Sequence, residues 1–325
     1  MKNKIVLITG GTGSFGNEMS SHLLKIGAKK IVIFSRDEFK QAEMKKKFNN
    51  NKKMRFFIGD VRDRNRLDMA MMDVDIVIHA AALKRVEVAE YNPFEAVKTN
   101  INGAQNVIEA ALRNEVDKVI ALSTDKAVNP INLYGATKLA SDKLFISANN
   151  LVGKKETRFS VVRYGNVLAS RGSVVPIFLN HFEQKKGYFP ITSKFATRFW
   201  ITLNSAVKFV INCSKDMGGG EIFIPKMPSV YISDLAKAIN KNYRLKEIGL
   251  GQGEKLHESI FSVRDSENTY ENKNMFLIEP DIKFYKKKKY RYFKNLKKIK
   301  RKFDYTSDKN IFLNIKEITN YLKKF

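Results

Sequence analysis

The chain has 325 residues, 43% of them hydrophobic, which suits an ordinary globular protein of one large domain or two coupled lobes. A single cysteine, Cys213, excludes an internal disulfide framework and points to a reducing, cytoplasmic setting. The net charge is +26, and twelve Lys/Arg with no Asp/Glu fall between Lys283 and Lys302; with no recognition fold around it, this run reads as a solvated surface in preference to a patch for nucleic acid or another polyanion.

In chain order, Lys4–Thr9 is a short apolar strand, and its core Ile5–Ile8 is too short for a signal peptide or a membrane span. Ser14–Ile26 has helical spacing at Phe15, Met19, His22, Leu23 and Ile26. Further strands are expected at Lys30–Ser35, Met54–Gly59, Asp75–Ala80, Lys118–Ser123 and Arg158–Arg163. The helices between them are expected at Asp37–Phe48, Arg64–Met72, a long stretch ending at Arg113, and Leu133–Asn150. This alternation, with strands as apolar as Ile31-Val32-Ile33-Phe34, predicts an α/β fold: a Rossmann-like doubly wound parallel sheet. After about residue 166 the pattern loosens. Helical pieces at Val175–Lys185, Leu203–Cys213 and Ile232–Asn240, with a strand at Glu221–Ile224 returning to the sheet, suggest a smaller C-terminal substrate-binding lobe. The expected division is 1–165 for the cofactor domain, 166–280 for the lobe and 281–325 for a basic C-terminal segment that includes a helix at Ile315–Leu322.

The first strand runs into Thr9-Gly10-Gly11-Thr12-Gly13-Ser14-Phe15-Gly16. Glycines here make the tight turn, admit a pyrophosphate to the backbone and let helix pack on strand, while the helix N-terminus attracts phosphate. Gly10, Thr12, Gly13, Ser14, Phe15 and Gly16 are therefore cofactor candidates. Ser35 and Arg36 at the end of the second strand suit the 2′-phosphate of NADP; the other reading, Asp37 on the ribose hydroxyls, suits NAD. Asp60 and Val61 close the third strand toward the adenine, although Asp60 also has a reading as a cap. Ala80, after His79, lets a flat cofactor lie on the backbone, and His79 itself reads as structural. The four histidines and Cys213 show no metal-ligand spacing, so no metal is expected.

Ser123-Thr124-Asp125-Lys126-Ala127 ends the fifth strand, and Tyr134-Gly135-Ala136-Thr137-Lys138 opens the next helix. Tyr134 and Lys138 share a helix face. Lys138 is expected to lower the phenol's pKa and hold the nicotinamide ribose, and Tyr134 to act as base on a sugar hydroxyl.

These motifs, with Ala89-Glu90-Tyr91-Asn92-Pro93, Lys98-Thr99-Asn100, Arg163-Tyr164-Gly165-Asn166-Val167, Ser170–Pro176 and Gly253-Glu254-Lys255-Leu256-His257-Glu258, closely resemble the inverting UDP-N-acetylglucosamine 4,6-dehydratases of the pseudaminic acid pathway, extended short-chain dehydrogenases/reductases, from about residue 4 to 280. The resemblance implies tightly held NADP, UDP-N-acetylglucosamine as substrate and a homo-oligomer. It implies Lys126 as the base at C5, Asp125 as the acid at the C6 hydroxyl and Thr124 as a hydrogen-bond partner of the C4 oxygen. Lys84 matches a residue near cofactor and sugar. Asn166, Val167, Val175, Arg198 and Glu254 fall to the UDP-sugar lobe, with Arg198 on the diphosphate, though each also has a purely structural reading. For Lys126 to be a base near neutrality its pKa has to fall by about 3 units, roughly 4–5 kcal/mol. Glu87 stands where the family has proline, and the Lys-rich ending departs from the family. A C4 epimerase or another sugar-nucleotide dehydratase of the same superfamily, and a non-catalytic NADP-binding protein with a polyanion-binding tail, are the rival readings; Asp125-Lys126 argues against the epimerase, Tyr134-Gly135 against sister dehydratases that often carry Met-Gly there, and the intact catalytic candidates against the non-catalytic protein.

Overall fold

A computed structural model describes residues 1–168, 173–281 and 295–323. The amino-terminal half alternates as expected: β1 Ile5–Thr9, α1 Ser14–Ile26, β2 Lys30–Ser35, α2 Glu38–Lys47, β3 Met54–Ile58, α3 Arg64–Met71 and β4 Ile76–His79. The long helical stretch expected before Arg113 is divided into α4 Val86–Tyr91, α5 Pro93–Val97, a π-turn at Lys98–Asn102 and α6 Gly103–Arg113. Pro93 has no N–H to continue α4, so a new helix starts on it. The π-turn presents buried Asn100, whose amide bonds both Leu83 N and Leu83 O (2.8 and 2.9 Å) and fixes the loop after β4. β5 Lys118–Thr124, a 3₁₀ turn at Asp125–Ala127, α7 Leu133–Ser147 and β6 Arg158–Tyr164 complete the half.

Beyond it lie β7 Asn166–Val167, α8 Val174–Glu183, β8 Tyr188–Ile191, β9 Thr197–Ile201, α9 Leu203–Asp216, β10 Ile222–Pro225, β11 Ser229–Tyr231, α10 Ile232–Ile239 and β12 Arg244–Glu247. Then come β13 Ser259–Phe261, α11 Val263–Ser266, β14 Thr269–Glu271, β15 Met275–Ile278, β16 Lys297–Lys298, β17 Tyr305–Thr306 and α12 Ile315–Leu322. The main sheet has the order β16-β14-β15-β10-β6-β5-β4-β1-β2-β3. Its strands from β3 to β10 run parallel, and β15, β14 and β16 add antiparallel. The order reverses between β1 and β4, so a crevice opens at the carboxyl ends of those strands. Residues such as Val6, Leu7, Val77 and Val119 have no exposed surface, as strands covered on both faces require.

A second core under the smaller lobe gathers Val175, Phe178, Phe189, Trp200, Leu235 and Ile318. Ile318 belongs to α12, so the chain's last described helix packs into this lobe, against α10. Of the basic run, residues 282–294 lie outside the described residues. Lys297 and Lys298 form the outer edge strand, where charge discourages pairing with a further strand.

Candidate active site

A cleft of about 1610 Å³ runs from the glycine turn to the smaller lobe. At its cofactor end Gly10 has φ +64°, and a Cβ there would sit 2.9 Å from Ala81 Cα. A Cβ on Gly16 would lie 2.1 Å from Gly11 O, so only glycine lets α1 approach the turn. Gly10, Thr12, Gly13, Ser14 and Phe15 line the cleft, with Gly16 behind them as the packing contact. The α1 amino terminus, preceded by Gly13 in extended conformation, offers its free N–H groups here.

Ser35, Arg36 and Asp37 also line the cleft. The Ser35 hydroxyl accepts from Thr12 (3.1 Å). The Asp37 carboxylate caps α2 by accepting from Lys40 N (3.0 Å), and the Lys40 ammonium, first among the causes, holds its pKa below the usual carboxylate value. Arg36 is largely exposed, 3.4 Å from Asp60. Asp60 is gripped by Arg62 through Nε and Nη2 (2.9 and 2.6 Å) and accepts from Arg62 N, so in this structure it serves as a turn cap. Val61, Ala80 and Lys84 line the same wall, and burial pulls the Lys84 pKa down. His79 is structural, as expected: it is buried, bonded to Thr9 Oγ1 (2.8 Å), and burial pushes its pKa down to about 3.

The central section combines α7, the 3₁₀ turn and β13. Asn132 caps α7 by accepting from Gly135 N (2.7 Å) and donates to Gly253 O (2.7 Å), tying the helix start to the lobe. Tyr134 and Lys138 are both buried one turn apart. The expectation that Lys138 depresses the phenol's pKa is not met. Burial pushes Tyr134 up to about 12, countered by the Lys126 charge and a hydrogen bond with Thr124. Lys138 instead donates to Leu122 O (2.8 Å), and burial lowers its own pKa.

Asp125 has no exposed surface; its Oδ1 accepts from Thr124 Oγ1 (2.8 Å) and Lys126 Nζ (3.1 Å), while Oδ2 has no protein partner. Burial, reinforced by Glu258 and opposed by Lys126, raises its pKa, the direction an acid requires. Lys126 departs from expectation. Burial alone would lower it, yet Asp125 and Glu258, 3.1 and 3.0 Å away, hold it above the ordinary lysine value. In the sequence Glu258 stands within the motif Gly253–Glu258, with nothing beside it to mark a role. Only the fold brings it to Lys126, 132 positions apart in the chain.

The lobe residues divide. Asn166 and Val167 line the cleft, and Asn166 Oδ1 is buried without a protein partner. Val175 is corrected: it points into the second core, while its neighbours Val174 and Ile177 line the cleft, because a helix turning about 100° per residue cannot offer all three to one side. Arg198 lines the cleft but is nearly buried and engaged: Nη2 bonds Glu254 (2.6 Å), Nη1 bonds Thr197 O and Leu256 O (2.8 and 3.1 Å), and Nε lies 3.8 Å from Glu258. In this structure its guanidinium thus engages Glu254 and lies beside Glu258 while remaining on the cleft wall, where the diphosphate role was expected of it. Glu254 also accepts from Thr192 Oγ1 (3.2 Å) and Gly251 N (3.2 Å). Among the described residues no group of His, Cys, Asp and Glu has metal-binding geometry, and no helix is long and apolar enough to cross a membrane.

The polysaccharide biosynthesis protein family matches residues 6–280. A UDP-N-acetylglucosamine 4,6-dehydratase (inverting) of Campylobacter jejuni subsp. jejuni serotype O:23/36 is 57% identical over 94% of this chain and 93% of its own. A UDP-glucose 4-epimerase of Rickettsia bellii is 44% identical over 98% and 95%. The crystal structure of Pen from Bacillus thuringiensis superposes with a TM-score of 0.91 at 38% identity, covering 100% of this chain and 99% of that one. On its glycine turn, its Tyr134/Lys138 helix and this likeness over nearly all its length, the chain belongs to the polysaccharide biosynthesis protein family, among the inverting UDP-N-acetylglucosamine 4,6-dehydratases of the extended short-chain dehydrogenase/reductase type.

Proposed function

We propose that the protein dehydrates UDP-N-acetylglucosamine to a UDP 4-keto-6-deoxy-L-hexosamine, inverting C5, with tightly held NADP as an internally recycled hydride carrier, acting in the cytoplasm as a homo-oligomer. The observation that carries this reading is the convergence of Thr124, Asp125, Lys126 and Tyr134 on the wall of one cleft that also contains the glycine turn. The glycine turn, which lines the cleft, and the α1 amino terminus, which has no side-chain cap, fit a dinucleotide pyrophosphate. NADP, when bound, would supply a hydride acceptor at C4 and a hydride donor at C6, and a proton reaching C5 on the face opposite the one it left would complete the inversion.

This chain's residues supply the rest. Tyr134, once its phenol has lost its proton to solvent, takes the C4 hydroxyl proton, with Thr124 beside it to hold the C4 oxygen. The C4 ketone so formed acidifies C5–H, which Lys126 removes once its amine is neutral. Asp125, whose pKa burial raises, takes the proton that Lys126 gives up as substrate enters and passes it to the departing C6 hydroxyl, and water leaves. Buried walls around these groups keep solvent from competing. Neutralising Lys126 requires first that its bond to one or both carboxylates be exchanged for the substrate, so substrate entry and base activation are one event.

Arg36 supports NADP over NAD, because Asp37 already caps α2 and pairs with Lys40. Arg36→Ala is expected to weaken NADP binding by roughly ten- to a hundred-fold, the value of a charge-assisted hydrogen bond, and to leave NAD binding nearly unchanged. Fluorescence titration of cofactor-stripped protein reads both.

The Rickettsia relative's name raises a second reading, a C4 epimerase. Mass spectrometry separates them. Incubation with UDP-N-acetylglucosamine and no added reductant should yield a product lighter by one water; a product of unchanged mass would sink the dehydratase reading in favour of epimerisation. The C5 configuration of the product, read by NMR, tests the inversion.

A further inference from the structure

Lys126 is bracketed by two carboxylates that come from different parts of the chain. Asp125 is its neighbour in sequence, while Glu258 arrives from the residue before β13. Glu258 is 2% exposed, and one of its oxygens, Oε2, has no protein partner, although the side chain faces the cleft. A buried carboxylate is costly unless it is paired, so its persistence at this point calls for a cation, and Lys126 Nζ at 3.0 Å is that cation.

The backbone of Glu258 is fixed from the C-terminal segment. Ser307 N donates to Glu258 O (2.8 Å), and Glu258 N donates to Ser307 Oγ (2.9 Å). The same hydroxyl donates to Thr197 O (3.2 Å) and lies 2.7 Å from Thr197 Oγ1, next to Arg198. Ser307 has no exposed surface. One residue of the segment following the basic run thus sets both β9, which bears Arg198, and the approach to β13, which bears Glu258.

We propose that Glu258, held in place by Ser307, is the positioning residue that orients Lys126 and sets its basicity for the C5 proton transfer. This rests on the dehydratase reading above. The groups facing Lys126 are Asp125 on its own turn, Glu258 beside β13, Arg198 on β9, Tyr134 on α7 and Lys255 before β13. The two carboxylates favour the ammonium; Arg198 opposes it directly and also competes for Glu258. Removing the Glu258 charge therefore leaves Lys126 with one anion in place of two, and its neutral form appears at lower pH.

The experiment follows two half-reactions of the holoenzyme: reduced-nicotinamide absorbance for C4 oxidation, and solvent deuterium entering C5 for Lys126. The wild type is measured first, and if it shows no C5 exchange and no loss of water, the dehydratase reading itself fails. With an active wild type, Glu258→Gln is expected to leave KM within about threefold and C4 oxidation nearly intact. Its C5 exchange plateau should drop at least tenfold, and the acidic limb of that exchange should move down by about 1 pH unit. Glu258→Asp restores the charge and should bring the limb back toward the wild-type position. A folded Glu258→Gln enzyme with an unmoved limb, or one losing both half-reactions equally, overturns the proposal. If Glu258→Gln does not fold, Glu258→Asp and Ser307→Ala decide it: each must depress C5 exchange more than C4 oxidation, and equal loss of the two overturns it as well.

Discussion

Lys126→Ala is expected to stop C5 exchange, lowering it by about 10²–10⁴-fold, while C4 oxidation survives. Lys126 is the amine brought nearest to both Asp125 and Glu258, and no other described lysine is paired with either in the salt-bridge geometry. Oxidation should slow several-fold, since the Lys126 charge is one of the influences that draw the Tyr134 phenol down from its buried value. Deuterium incorporation at C5, followed by mass spectrometry in heavy water, measures the first effect. Exchange at the wild-type rate would remove Lys126 from the base role.

The same substitution has a consequence for stability. It leaves two buried carboxylates, Asp125 and Glu258, without their shared cation, a loss on the order of 3 kcal/mol for a pair whose lysine is 23% exposed. In the wild type the Lys126 pKa is raised, so its contribution is complete at neutral pH and disappears only as pH rises past the folded value. In the variant the carboxyls themselves hold the proton: their folded pKa values sit above the unfolded ones, the folded state binds more protons, and stability falls as pH rises. The melting temperature of Lys126→Ala should therefore climb more steeply than that of the wild type as pH is lowered from neutrality toward the carboxylate range, because in the wild type the raised Asp125 pKa is opposed by Glu258, which Lys126 and Arg198 hold below the usual carboxylate value. Arg198, 3.8 Å from Glu258, softens the effect without removing it.

Tyr134→Phe is the second large effect. The ring packs with Ala89 and Ala96 and against Leu83, Val86 and Leu133, so phenylalanine preserves the packing and only the hydroxyl is lost. C4 oxidation should fall about 10²–10⁴-fold with KM little changed. Everything downstream should fall with it, because the C5 proton is acidic only beside a C4 ketone. Single-turnover absorbance of the reduced nicotinamide reads this directly; oxidation at more than a tenth of the wild-type rate would mean that another group removes the C4 proton. Because burial holds the phenol near 12, the wild-type oxidation rate should also rise with pH through the neutral range.

Local pattern carried much of this protein. The strands β1 to β6 are within a residue or two of where apolar runs place them, because all of them except the edge strand β3 are buried on both faces and have little choice of composition. The glycine turn was readable because its steric demands fall within seven residues, from Gly10 to Gly16. Tyr134 and Lys138 were readable because a helix places positions four apart on one face, and Asp125 and Lys126 because they adjoin the end of a strand. The strands after residue 240 were not read: β12 to β17 have two to four residues each, too few for a period to emerge, and their partners lie far away in sequence.

What the sequence determined by itself was the doubly wound sheet, the dinucleotide turn and the list of groups able to do acid–base work at a sugar. Tertiary structure alone decided their electrical state and their supports. Lys126 is a doubly paired cation, Arg198 grips Glu254 and lies beside Glu258, Val175 turns to the core, and Ser307 of the C-terminal segment fixes Glu258. Spacing along a chain reports geometry within a turn or a strand. The field at a buried group, by contrast, is set by charges a few ångströms away in space, and those come from wherever the packing of the two lobes brings them.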